Sequence, residues 1–164
     1  MRSRRTLNIL LLVVAIVVAV FMYKRYRIAP NITERSVVFQ TPSGLDSLDS
    51  FLDKNVMVVF YAGWCGTCHK EIPEIVAQYK LLKEHNIEVI GLTDDTPQIV
   101  EKFTTAFDVP FPMHKLEGSM HDIDIYTLPT LFVMNTKGEI VFEHVEYMDW
   151  KNPEEVNKVL NSVK

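Results

Sequence analysis

At 164 residues and 48% apolar content, the chain has room for one domain with a real core, and it carries no internal repeat or low-complexity tract. Its formal charge of −4 hides a segregation: six of the 17 Lys and Arg stand before residue 30 and all 21 Asp and Glu stand after it, which leaves the remainder at −10. So acidic a domain argues against a nucleic-acid partner, which wants a basic face, and against an anionic membrane surface as the domain's own partner.

Leu7 to Tyr23 is almost uninterrupted Leu, Ile, Val and Ala, broken early by Asn8, and it follows Arg2, Arg4 and Arg5. As a helix, 17 such residues span roughly 26 Å, near the lower limit for crossing a bilayer. The small residues that a cleaved signal needs, Val17 and Ala19, lie inside the run with Val20, Phe21 and Met22 still to follow. The expectation is therefore an uncleaved N-terminal transmembrane helix within residues 1–23, held in the membrane by residues 7–23. Lys24, Arg25 and Arg27 nearly balance the leading arginines, so orientation rests on the tendency of a leading basic cluster to stay in the cytoplasm. That places the domain outside, in the periplasm or on the outer face of the cell membrane. Residues 24–35 read as a polar linker; Asn31-Ile32-Thr33 within it fits a glycosylation acceptor, which has meaning only in a eukaryotic secretory pathway.

Residues 36–164 form the expected domain. Ser36 to Gln40 reads as a short strand and Leu45 to Asp53 as a short helix capped by Ser43 or Asp46. Val56 to Tyr61 is apolar without alternation, the pattern of a central strand covered on both faces. Ile72, Ile75, Val76, Tyr79 and Leu82 recur at helical spacing, so Gly66 to about Glu84 should be an amphipathic helix, kinked at Pro73. A strand from Ile87 to Thr93 precedes a helix with Thr96 as cap and Pro97 at its first position. Phe111 to Lys115 should be extended and Ser119 to Tyr126 a short helix; Thr130 to Met134 and Glu139 to Val145 flank the turn Asn135-Thr136-Lys137-Gly138. Pro153, Glu154 and Glu155 open a last helix. The order β-α-β-α, hairpin, helix implies an α/β fold, a mixed sheet flanked by helices.

The only two cysteines, Cys65 and Cys68, lie between the apolar strand and the amphipathic helix. If Cys65 starts the helix, Cys68 is one turn on and on the same face, close enough to bridge. Unpaired N–H groups and the positive end of the macrodipole stabilise a thiolate there, which makes Cys65 the attacking sulfur and Cys68 the resolving one. With His69 the same residues also match C-x-x-C-H, the attachment pattern of haem c. A small cytochrome would be mostly helical, and the buried strand before the cysteines argues against it. A structural zinc would need two more ligands that no nearby Cys/His pair supplies. No metal or cofactor beyond a redox-active disulfide is expected.

Trp64-Cys65-Gly66-Thr67-Cys68-His69-Lys70-Glu71-Ile72-Pro73, with Leu128-Pro129-Thr130 before a later strand, resembles the thioredoxin superfamily over about residues 36–164. The run matches W-C-x-x-C-x-x-E-x-P of the membrane-tethered TlpA/ResA-like thiol-disulfide oxidoreductases at each specified place. The resemblance implies that Pro129 is a cis-proline beside the disulfide and that Leu128 and Pro129 form a platform for the substrate backbone. It implies that Trp64 shields the edge of the active site. Val59 stands where thioredoxin has a buried Asp, and Gly66-Thr67 replaces Gly-Pro. Glu71, on the cysteine face, then becomes the carboxylate that exchanges protons with a thiol or raises its pKa. His69, when protonated, would lower the pKa of the Cys65 thiol.

Implied partners are protein disulfide substrates, apocytochrome c or another exported thiol protein, and a membrane thiol reductant that recharges the pair. Two other functions stay open: a peroxidase of peroxiredoxin type, which would need a Thr where Ala62 stands, and a haem c-binding protein.

Overall fold

The computed structural model describes residues 2–27 and 37–164. The glycosylation acceptor, most of the linker and Ser36 lie outside the described residues. Helix α1 covers Arg2–Arg27, and its large apolar side chains from Ile9 to Met22 are exposed. Among the described residues no helix is long and apolar enough to cross a membrane.

The domain is built on a seven-stranded mixed sheet, β1 (Val38–Thr41), β2 (Gly44–Ser47), β3 (Asn55–Phe60), β4 (Ile87–Thr93), β5 (Met113–Leu116), β6 (Thr130–Met134) and β7 (Ile140–Val145). The spatial order is β2-β1-β5-β4-β3-β6-β7. Strand β3 lies inside, parallel to β4 and antiparallel to β6, and all of Val56 to Phe60 is buried; its unbroken apolar pattern is that of a strand covered on both faces. Helices α2 (Gly66–Glu84), α3 (Pro97–Ala106) and α4 (Pro153–Asn161) complete the fold. Ile72, Ile75 and Leu82 of α2 and Val156, Val159 and Leu160 of α4 belong to the same buried core as β3.

The segment Leu45–Asp53 departs from the expected helix. Gly44 to Ser47 pairs with β1 as a hairpin, Thr41↔Gly44 to Val38↔Ser47, and only Leu48–Phe51 forms a single 3-10 turn. The cause is the tight reversal at Pro42-Ser43: Gly44 takes φ +129°, which only glycine adopts without strain, and Thr41 Oγ1 donates to the Gly44 carbonyl at 2.9 Å. Edge pairing then satisfies backbone groups that a nine-residue helix would have satisfied internally. Neither Ser43 nor Asp46 caps a helix; Asp46 Oδ1 instead accepts from the Ser47 amide at 2.8 Å.

Elsewhere the differences are of detail. Thr96 precedes α3 but its hydroxyl makes no cap bond; its carbonyl accepts from Ile99 and Val100. The short helix after Ser119 is one 3-10 turn, Met120–Ile123, closed by a Ser119/Asp122 capping box. The β6–β7 turn forms as expected, with Gly138 at φ +77° and Asn135 Oδ1 accepting from the amides of Lys137 and Glu139.

Two consequences of this sheet position the chemistry. Strands β3 and β4 end at the same edge, with Phe60 beside Leu92, and the chain leaves β3 through Tyr61 to Trp64 into α2. Phe60 also faces Thr130 across the antiparallel pair, so Leu128 and Pro129 arrive at that edge from a site over 60 residues away.

Candidate active site

Cys65 is the N-cap of α2, with φ −81° and ψ 102°, and its sulfur accepts from the Cys68 amide at 3.2 Å. The two cysteines are bonded as a disulfide with Cα atoms 5.3 Å apart, inside the usual range for a bridge. Cys65 keeps 5% exposure and Cys68 none. An attacking sulfur must be reached by a partner and a resolving one need not be, so this asymmetry assigns the outer position to Cys65. Thr67, whose Oγ1 lies 3.4 Å from Cys65 Sγ, donates to the Leu128 carbonyl at 3.5 Å. The Leu128-Pro129 peptide is cis. The first turn of α2 and the Leu128-Pro129 turn are thus one surface.

Glu71 lies one turn beyond Cys68 and is fully buried. Its Oε1 accepts from Trp150 Nε1 at 2.9 Å and from the Met148 amide at 3.3 Å, while Oε2 has no hydrogen-bond partner among the described residues. Burial outweighs those two bonds and, with a smaller push from Glu74, raises its pKa from 4.5 to about 7. Glu74, a turn further on, goes the other way. Burial would raise it too, but Lys151 Nζ at 2.7 Å and the Tyr147 hydroxyl at 2.9 Å hold its carboxyl below the usual range. Together the two glutamates tie the segment from Tyr147 to Lys151 onto α2, and Lys70 Nζ sits 3.7 Å from the Tyr147 ring centroid.

Trp64 is 78% exposed, so it is not packed into the core. Behind it opens a groove of about 410 Å³ lined by Ile99, Lys102, Phe103 and Phe107 of α3 and its end, with Trp64 and His69 opposite. His69 Nε2 lies 2.8 Å from the Gly63 carbonyl, and Asp95 Oδ2 accepts from the Gly63 amide at 2.6 Å and from Thr93 Oγ1 at 3.1 Å. Val59 is fully buried.

The sequence-derived residues Trp64, Cys65, Cys68, His69, Glu71, Leu128 and Pro129 therefore gather at one edge of the sheet. Thr67, Asp95 and Trp150 were not anticipated. Asp95 had a signal, since polar residues just past the carboxyl end of a buried parallel strand sit where α/β sheets place their sites. Trp150, 79 residues from Glu71, had none. Among the described residues no group of three His, Cys, Asp or Glu is arranged to hold a metal ion.

Comparison with known proteins points the same way. The family model of AhpC/TSA matches residues 28–143. A protein named thiol-disulfide oxidoreductase ResA from Oceanobacillus iheyensis is 29% identical over 147 residues, 83% of this chain and 77% of that protein. The ResA of Bacillus subtilis is 32% identical over 98 residues, 57% of this chain and 54% of that one. Among solved structures, the thioredoxin domain of a thiol-disulfide oxidoreductase from Bacteroides vulgatus superposes with a TM-score of 0.67 at 20% identity, covering 79% of this chain and 94% of that one. StoA from Bacillus subtilis gives 0.60 at 23% identity, covering 77% and 96%. With a thioredoxin-like fold, a C-x-x-C disulfide at the start of α2 and a family match over most of its length, the chain belongs to the AhpC/TSA family.

Proposed function

We propose that the Cys65/Cys68 pair reduces disulfides of exported proteins, apocytochrome c among them, from a domain tethered to the outer face of the cell membrane by residues 7–23. The observation that carries the reading is the asymmetry of the pair: an outer Cys65 at the helix N-cap and a fully buried Cys68 behind it.

In the reduced enzyme the Cys65 thiolate, stabilised by the first-turn amides, attacks one sulfur of the substrate disulfide. That S–S bond breaks as the Cys65–substrate bond forms, and the departing sulfur takes up a proton. Cys68, deprotonated, then attacks Cys65, expels the second substrate sulfur as a thiolate and restores the Cys65–Cys68 disulfide. The substrate has gained two electrons and one proton, leaving one of its sulfurs as a thiol and the other as a thiolate; the enzyme, which began with Cys65 as thiolate and Cys68 as thiol, has lost two electrons and the one proton of Cys68. A membrane thiol reductant must return the electrons. Glu71, with a pKa of about 7, is suited to take the proton that Cys68 gives up. Leu128 and Pro129, joined to the redox turn through Thr67, offer the surface along which substrate backbone would lie, with Trp64 at its rim.

Against a peroxidase, Ala62, three residues before Cys65, is fully buried and has no hydroxyl to orient a peroxide. Against haem attachment, the His69 ring is bonded to its own backbone at Gly63.

Trapping tests the reading. With an oxidised exported protein, Cys68→Ser should accumulate a mixed disulfide through Cys65, and Cys65→Ser should trap little. The reverse pattern would overturn the assignment, and peroxide turnover without any disulfide reduction would overturn the function.

A further inference from the structure

Gly63, two residues before Cys65, is held from both sides by side chains distant from it in sequence or turned back from the helix. Asp95, just past β4, takes its N–H at 2.6 Å, and His69, in the first turns of α2, meets its C=O at 2.8 Å. A carbonyl only accepts, so His69 Nε2 is the nitrogen that carries the hydrogen. The ring plane is fixed independently: Phe103 and Phe107 each meet it edge to face, at 5.1 and 5.4 Å between centroids and 86° between planes. Asp95 is braced in turn by Thr93 Oγ1 at 3.1 Å. Gly63 has no side chain of its own with which to restrain the turn, and an added Cβ would lie 2.5 Å from Ile99 Cγ2, so larger residues cannot replace this restraint by packing.

The geometry points to His69 as a positioning residue: with Asp95 it clamps the Gly63 peptide and thereby fixes the turn that presents Trp64 and the Cys65 sulfur to a protein disulfide. The inference rests on the reading of the pair as a protein-disulfide reductant, and it gives His69 a task on the backbone before Cys65. Disulfide exchange needs three sulfurs nearly in line, and a turn held at both its N–H and its C=O holds the attacking sulfur on that line without a reorganisation cost at each encounter.

The test uses the full chain in detergent, pre-reduced, with insulin as the protein disulfide. His69→Ala should lower the second-order rate constant about tenfold, near the upper end of what one lost hydrogen bond gives. His69→Gln, whose amide can still donate to Gly63, should stay within about threefold of the parent. Backbone hydrogen exchange supplies a second readout: in His69→Ala the Gly63 amide should exchange faster while Ile75 and Leu82, deep in α2, stay protected, and His69→Gln should restore slow exchange.

Equal losses in the Ala and Gln variants, or an unchanged Gly63 exchange rate in His69→Ala, would overturn the clamp. Should His69→Ala fail to fold, Asp95→Ala removes the acceptor of the Gly63 N–H, and an unchanged insulin rate in that variant would overturn the clamp as well. If the parent itself does not reduce insulin, the proposed function fails, and the exchange measurements still decide whether the clamp exists.

Discussion

Glu71→Gln should flatten the dependence of stability on pH. In the folded domain the Glu71 carboxyl titrates at about 7 instead of 4.5 because it is buried, and its two N–H donors do not compensate. The folded state therefore holds on to the proton more tightly than the unfolded chain does. Its contribution is fully present below about pH 4.5, declines as pH rises through about 7, and is gone above that, so the parent loses stability in this window. The full shift is worth about 3 kcal/mol, of which about 2.5 kcal/mol falls between pH 5 and pH 8. A glutamine keeps an oxygen for Trp150 and Met148 but puts an NH2 where Oε2 has no partner, at a cost of about 1–3 kcal/mol that does not vary with pH. The variant should thus be less stable than the parent at pH 5 and close to it, or above it, at pH 8. Urea unfolding of the oxidised protein at both values measures this directly. Parallel curves for parent and variant would refute a buried, high-pKa Glu71. In the reduced protein an ionised Glu71 opposes a second negative charge nearby, so Glu71→Gln should also move thiolate formation, followed by absorbance, to lower pH; because the thiols and the carboxylate interact, the shift belongs to the group.

Trp150→Phe removes the indole donor while keeping an aromatic ring, so the Glu71 pKa should rise above 7 and the stability loss should move to higher pH; an unmoved midpoint would show that the Trp150–Glu71 bond does not matter. A reporter fused after Lys164 should be active only outside the cytoplasm, as the basic residues before Leu7 imply, and cytoplasmic activity would remove both the proposed location and the proposed substrates. Lys151→Met should free Glu74 from its 2.7 Å ion pair and raise the Glu74 pKa toward its ordinary value, visible by carboxyl NMR; because Lys151 is largely exposed, solvent screens the pair and stability should change little.

Local pattern carried much of this protein. The unbroken apolar run Val56 to Tyr61 read as a strand covered on both faces, helical spacing from Ile72 to Leu82 read as α2, and the junction of the two put Cys65 at a helix start. Those are short-range statements about periodicity and capping, and they survive folding because burial repeats with the same period. Where tertiary pairing outbid local propensity, the sequence misled: Leu45 to Ser47 found a partner in β1, and an edge hairpin with Gly44 at its turn replaced the expected helix. The electrostatics of the site were beyond local pattern altogether. Helical spacing put Glu71 on the cysteine face as the proton-handling carboxylate, but its raised pKa comes from Met148 and Trp150, which close over it from 77 and 79 residues away and strip its water; the Gly63 clamp needs Asp95 brought beside β3 by the parallel pairing with β4. A pKa and a hydrogen bond depend on what surrounds a group in space, and only the packed sheet decides which distant residues those are.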